Sequence, residues 1–272
     1  MEDYRKIKDA LLSFAKSWPD SEAVCAQLLK AESMDAVMSV VQGTFFWCAK
    51  LEGFATLLLK YRDTFERYNI WLNHDIDLRS GSGWLFVSEG SVSVTSRGFS
   101  TLVVVCTGSA VLDAESQAYS TLLIESLMES VVVCRSYGVS TLRVSGDFHS
   151  KITATSFDAS HLVASNSDWG WLTVTSYGSS VLRVGAFGRS QVKAEASGNS
   201  TLRITNHDEG SVRVRGLSDS IVHLRGRFAL RTLHDSSIAR HYEDHCVVYG
   251  PAVRLMSTKD SPVSSEDNPF SN

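Results

Sequence analysis

The residues best equipped for chemistry lie near the carboxyl end. There His241-Tyr-Glu-Asp-His245-Cys246 places five ligand-type side chains in six positions. Histidines four residues apart converge on one metal ion when the backbone is helical. The His-Glu-x-x-His order is missing, and β-branched residues flank the segment. A capping strand or loop is therefore expected, with no metal and no other cofactor. General acid–base catalysis needs a convergent pair of carboxyl groups. Asp113 and Glu115 would share a strand face without matching acids on the adjacent coils, and Asp168 and Asp208 fall at turn positions where Asx-turns explain them. No phosphate-binding loop, dinucleotide fingerprint or nucleophile elbow occurs, and Gly81-Ser-Gly83 reads as a turn. No catalytic residue is assigned, and the expectation is a protein that is not an enzyme.

The elements that would position any site are set by an internal repeat. From Ser91 to Leu230 the chain runs as fourteen blocks of ten, such as SVSVTSRGFS from Ser91, TLRVSGDFHS from Thr141 and WLTVTSYGSS from Trp171. Position two is always Val, Leu or Ile, as at Val92, Leu102, Leu112, Leu122 and Val132. Position four is apolar and small to medium, and position six is small, most often Ser. Position ten is Ser, Gly or Ala in every block but the last. Successive strand residues point to opposite faces, and ten is even, so the inward set keeps its parity throughout. An apolar period of two rules out an amphipathic helix. Glycine at position eight (Gly98, Gly108, Gly138, Gly178, Gly188, Gly198) suits a turn with positive φ.

Two blocks make one coil. Leucine holds position two in alternate blocks from Leu102 to Leu202, whereas Val, Leu and Ile mix in the others. Thr-Leu opens the blocks at 101, 121, 141 and 201, separations that are multiples of 20. The predicted fold is mainly β, a parallel β-solenoid (β-helix) of 10-residue repeats with about 20 residues per coil and an N-terminal α-helical cap. At roughly 4.8 Å per coil the rod is about 34 Å long.

Solenoid ends expose strand edges that need cover. Tyr4, Ile7, Leu11, Phe14 and Ala15 lie on one helical face, Asp20 to Ala31 suits a second helix, and Ser33 could cap a third. Phe45-Phe46-Trp47 and Phe54 to Tyr61 complete the helical part. The expected organisation is a cap over 1–70, a solenoid with its C-terminal cover over 71–255, and a disordered Ser-, Asp- and Pro-rich tail over 256–272. Ile238 and Val247-Val248-Tyr249 are expected to add a strand or two after the repeat decays.

Laid out this way, the coils form columns of outward residues. Tyr137, Phe157 and Tyr177 share position seven on successive coils, and Phe99 and Tyr119 form a shorter column beside them. Such rows either grip a sugar, base or protein or stabilise the coil-to-coil contact. Arg143, Arg183 and Arg203 share position three with His223, and Arg213 and Arg215 crowd the last coils, an arrangement suited to an anion. The formal net charge of −4 argues against nucleic acid as a general partner. The acidic start is followed by no apolar core of the length expected of a signal peptide, and no apolar run is long enough to span a membrane. Cysteines at 25, 48, 106, 134 and 246 are odd in number and lack CxxC spacing, which points to free thiols in the cytoplasm.

Several segments carry a family resemblance: Phe46-Trp47-Cys48, the stretch Lys60 to Ile70, Leu72-Asn-His-Asp-Ile76, the decapeptides, and Ser236 to Tyr242. With these the chain resembles decapeptide-repeat proteins of gut Bacteroidota and of their phages and mobile elements. That resemblance implies a cytoplasmic or phage-associated setting and brings no activity or site residues. Tyr177-Gly-Ser-Ser180 is similar to bacterial ice-nucleation repeats, but their period is shorter and their Thr-x-Thr ladder regular. Here Thr-x-Thr occurs only at Thr153/Thr155 and Thr173/Thr175, so ice binding does not carry over. The expected function is a non-enzymatic scaffold presenting Tyr137, Phe157 and Tyr177 to a protein partner, with oligomerisation open. A carbohydrate-binding or carbohydrate-active β-helix is the alternative, and anion or nucleic-acid binding by the arginine-rich coils is the third.

Overall fold

The computed structural model describes residues 3–16, 18, 21–207, 211–216, 220–226, 228–229, 238–239 and 246–247. His241 to His245, Asp208 and the tail over 256–272 lie outside the described residues. Six short helices come first: α1 (Asp3–Ala15), α2 (Glu22–Lys30), α3 (Met34–Gly43), α4 (Phe45–Cys48), α5 (Phe54–Lys60) and α6 (Arg62–Glu66). The Ser33 hydroxyl caps α3 by accepting from the Ala36 amide at 3.2 Å. Substitution by Ala at such a cap costs about 1 kcal/mol. No helix among the described residues is long and apolar enough to cross a membrane.

Two strands lead into the coil, β1 (Ile70–Leu72) and β2 (Ile76–Val87), and β3 (Ser91–Cys106) completes its first regular turn. Then come six-residue strands at twenty-residue register: β4 (Val111–Ser116), β5 (Thr121–Ser126), β6 (Val131–Ser136), β7 (Thr141–Gly146), β8 (Lys151–Ser156) and β9 (His161–Asn166). They continue as β10 (Trp171–Ser176), β11 (Val181–Ala186), β12 (Gln191–Ala196), β13 (Thr201–Asn206), β14 (Ser211–Gly216) and β15 (Ile221–Gly226). All pairing is parallel, in the order β14-β12-β10-β8-β6-β4-β3-β5-β7-β9-β11-β13-β15. Even-numbered strands therefore stack into one sheet and odd-numbered strands into the other, with β2 and β3 running through both. The solenoid has about 7 turns with ~20 residues per coil. Beyond β15 the register slips, as the decay of the repeat foretold. Ile221 pairs with Ile238 of β17 (Ile238–Ala239), and β16 (Phe228–Ala229) pairs with β18 (Cys246–Val247).

Positions two, four and six of both sheets point inward and are buried, sharing one core from Leu85 to Val222. Positions six and ten place serine hydroxyls inside that core. Buried hydroxyls must find partners. They find one another along the coil edges: Ser126 Oγ lies 2.7 Å from Ser130 Oγ, and Ser156 Oγ donates to Ser180 Oγ at 3.1 Å one coil on. Ser120 Oγ also donates to the Ser96 carbonyl at 2.7 Å. The serines at six and ten thus form an internal hydrogen-bonded ladder along the corners, in which Ser190 Oγ and Ser220 Oγ alone among the described buried serines lack a partner.

Position eight carries the left-handed turn conformation, at Gly98 (φ 62°) and Gly138 (φ 66°) as expected. The expected turn at Gly81 to Gly83 is instead part of β2, paired with Ser100 to Leu102 of β3. The strand crosses there from one sheet to the other, with a register shift between Leu78 and Ser80 and φ 81° at Gly81 supplying the bend. Gly83 is required by packing, since a Cβ there would lie 2.5 Å from Trp71, whose ring packs on the end of the solenoid core.

The helices do more than cover the end. β1 pairs with Trp84 to Phe86 of β2 at the first coil's edge. The helical core also takes in Phe86, Val105 and Leu127, with Trp84 and Val103 packed against it. The helices therefore lie on the outer face of the odd-numbered sheet over its first coils, and Lys50 bridges to Glu125 at 2.7 Å there. From β7 onward Arg143, Arg183 and Arg203 stand exposed on that face.

Candidate interaction surfaces

The aromatic columns fall on one edge, formed by the turns after the even-numbered strands and the equivalent bend in β3. Tyr137 and Phe157 stack at 4.8 Å between ring centroids and 3° between planes, and Phe157 and Tyr177 at 5.3 Å and 15°. Phe99 and Tyr119 stack at 5.5 Å and 6°. The twenty-residue register sets these rings one coil apart, close to stacking distance. The ring faces are consequently turned on one another. What the three-ring row offers outward is ring edges and the phenol groups of Tyr137 and Tyr177, so a sugar could not stack within it.

The opposite edge also holds aromatic residues, some of them outside any column. Trp169 and Trp171 flank Gly170 and are 53% and 54% exposed, and Arg189 lies over the Trp169 ring at 5.2 Å. One and two coils below sit Phe148 (φ 53°, 56% exposed) and Met128 (φ 60°, 58% exposed) at the left-handed turn position, where neighbouring coils use Gly108 and Gly188. Phe187 and His207 also stack on this edge, at 4.4 Å and 5°. Their signal was present in the sequence, as two rings at position seven twenty residues apart. A non-glycine residue in this conformation costs about 1–2 kcal/mol. Phe148→Gly is therefore expected to raise the stability by about 0.5–1 kcal/mol, after allowing for the greater chain entropy of glycine. Urea unfolding checks this, and an unchanged or lower midpoint would show that the turn is not strained.

The arginines divide between the two sheets. Arg143, Arg183 and Arg203 stand exposed on the odd-numbered sheet, where Arg183 and Arg203 are register neighbours and Val163 separates Arg143 from Arg183. Arg213 and Arg215 lie on the even-numbered sheet, because their block belongs to the other half of the coil. They do not join the first three in one site. Arg215 lies 3.9 Å from Glu195.

A comparison with family models, curated proteins and solved structures gives no match. Function has to be read from the surfaces themselves.

Asp113 and Glu115 share one cation. Arg135, one coil on, engages both Asp113 at 2.8 Å and Glu115 at 3.7 Å. Asp168 occupies the left-handed turn position with φ 52°, in keeping with an Asx role. Among the described residues no three His, Cys, Asp or Glu side chains gather to hold a metal. Cys25, Cys48, Cys106 and Cys134 are free thiols. Burial pushes Cys48 and Cys106 up to about 11, and Cys134, deepest in the core, further still. These three are packing residues and poor nucleophiles at neutral pH.

Proposed function

We propose that this chain is a non-enzymatic interaction scaffold. A protein partner docks on the edge that carries Trp169, Trp171 and Phe148. The observation behind this reading is the combination of strain and exposure. A solenoid turn is built most cheaply from glycine, yet this edge sets Phe148 and Met128 in left-handed conformations with more than half of each side chain in water. Strained residues mark sites where a structure serves something other than its own stability. Tryptophan and arginine are also the residue types that dominate binding energy at protein interfaces. The matching partner presents an apolar recess for the two tryptophans and a carboxylate for Arg189. The stacked row at Tyr137, Phe157 and Tyr177, with Phe99 and Tyr119, chiefly ties coil to coil and adds phenol hydroxyls to a contact on the other edge. A reducing setting, cytoplasmic or phage-associated, fits the free thiols.

The test is affinity capture of the intact protein from its host, followed by a direct binding measurement on any stoichiometric partner. Trp169→Ala and Trp171→Ala should each weaken that partner by about 2 kcal/mol, roughly thirtyfold, with thermal stability nearly unchanged. A partner held equally well by the double variant would move the interface elsewhere. Absence of any stoichiometric partner would remove the scaffold reading.

A further inference from the structure

The odd-numbered sheet from β7 onward carries exposed arginines with no acid between them. Its outward positions on β7, β9, β11, β13 and β15 are Thr141, Arg143, Ser145; His161, Val163, Ser165; Val181, Arg183, Gly185; Thr201, Arg203, Thr205; and Ile221, His223, Arg225. No Asp or Glu is among them, although the whole chain has 30 acidic against 26 basic residues. On the even-numbered sheet the cations are interleaved with Asp113, Glu115 and Glu195. Among the described residues no carboxylate lies within 4.0 Å of Arg143, Arg183 or Arg203. Two acidic turn residues of these coils are engaged elsewhere. Asp147 accepts from Ser167 Oγ at 2.7 Å and the Phe148 amide at 2.8 Å, and Asp158 accepts from the Gly138 amide at 3.1 Å.

Like charges directly opposed on adjacent strands repel. Arg183 and Arg203 stand about 4.8 Å apart along the rod and Arg143 about 10 Å further along, in one mid-strand line. Hydroxyl groups of Thr141, Ser145, Ser165, Thr201 and Thr205 flank that line and supply donors to anionic oxygens. The outward strand positions of this face bear no Trp, Tyr or Phe, and the Phe187 ring that leans over Gly185 is already stacked on His207 at 4.4 Å. Arginine with small hydroxyl donors is the chemistry of phosphate-backbone contact. We propose that this face binds the phosphate backbone of a nucleic-acid duplex, independently of sequence and separately from the tryptophan edge. The helical cap bounds the site at one end, since it covers the same sheet up to Glu125 and Leu127.

The experiment measures anisotropy of a labelled, mixed-sequence duplex of roughly 25 base pairs with the full-length protein over a salt series. Three phosphate contacts predict a log–log slope of about −2.7, hence about 40-fold weaker binding at 200 mM than at 50 mM salt. The variant R143Q/R183Q/R203Q should bring that slope close to zero. The variant K193Q/R213Q/R215Q removes as many charges from the opposite sheet and should bind within about twofold of the parent. Circular dichroism melts verify that both variants fold. Equal losses in the two variants, or no duplex binding at low salt, would overturn the proposal. Binding to phosphatidylserine vesicles or polyglutamate in place of the duplex would overturn it too, assigning the face to lipid or to an acidic protein.

Discussion

Leu142→Ala is expected to destabilise the protein by roughly 2–5 kcal/mol. Leu142 is fully buried at mid-rod, and its register neighbours one coil away on either side are Leu122 and Leu162, also fully buried. Removing its side chain leaves a cavity flanked by strands that cannot collapse inward. Each strand is held at the coil spacing by hydrogen bonds to both neighbours, such as the Thr141 amide to the Ser120 carbonyl and the His161 amide to the Ser140 carbonyl, each at 2.9 Å. Solenoids unfold through nearest-neighbour coupling. A void in the middle therefore weakens the link between the capped amino-terminal coils and the rest, as well as lowering the total. Urea unfolding followed by circular dichroism should show an earlier midpoint and a broadened or two-step transition. A loss below about 1 kcal/mol would mean that the coil closes over the gap, contrary to a core fixed by the hydrogen-bond ladder.

The second large effect lies in the serine ladder, at the place where it is interrupted. Asn166 occupies a buried position six, where Ser is the commonest residue, and it fits because the adjoining positions are Gly146 and Gly170. A Cβ on Gly170 would come within 2.3 Å of Asn166 Oδ1, and one on Gly146 within 2.5 Å of the same atom. The Asn166 side chain is wholly buried, and its amide nitrogen already lacks an acceptor, so it has no free space to rotate into. Gly170→Ser is expected to cost about 1–3 kcal/mol by overpacking. In the background of Asn166→Ser the same change should cost little or even stabilise, because it restores the Ser–Ser pair seen at Ser126 and Ser130. The double-mutant cycle should give a coupling of about 1–3 kcal/mol. Additive effects would show that the two sites relax independently and that the paired Asn and Gly are incidental. Asn206 with Gly210 repeats the same two residue types in the same positions of a later block.

Much of the architecture was legible because a coil of this kind is nearly periodic in space. Once two blocks make a coil, position in the block decides depth, and parity of the block decides the sheet. The burial of positions two, four and six, and the stacking of Tyr137 on Phe157, follow from translation by one coil. The separation of Arg213 and Arg215 from Arg143, Arg183 and Arg203 follows from block parity, although grouping them by charge alone had put them together. The candidate edge was harder to see. Trp169, Trp171 and Phe148 repeat nothing above or below them, so column reading passed over them. Their significance comes from exposure and a strained turn.

The sequence by itself determined the parallel solenoid, its twenty-residue coil and the inward set, because those depend on a two-residue alternation repeated in register. Only the tertiary structure decided where the helices lie, how β2 crosses between the sheets at Gly81 to Gly83, and which basic face is left without carboxylates. Those outcomes depend on non-repeating side chains meeting across the fold: Trp71 against Gly83, Lys50 with Glu125, and Phe86, Val105 and Leu127 in the helical core. Contacts of that kind are set by shape and charge between segments distant in the chain, and no local period records them.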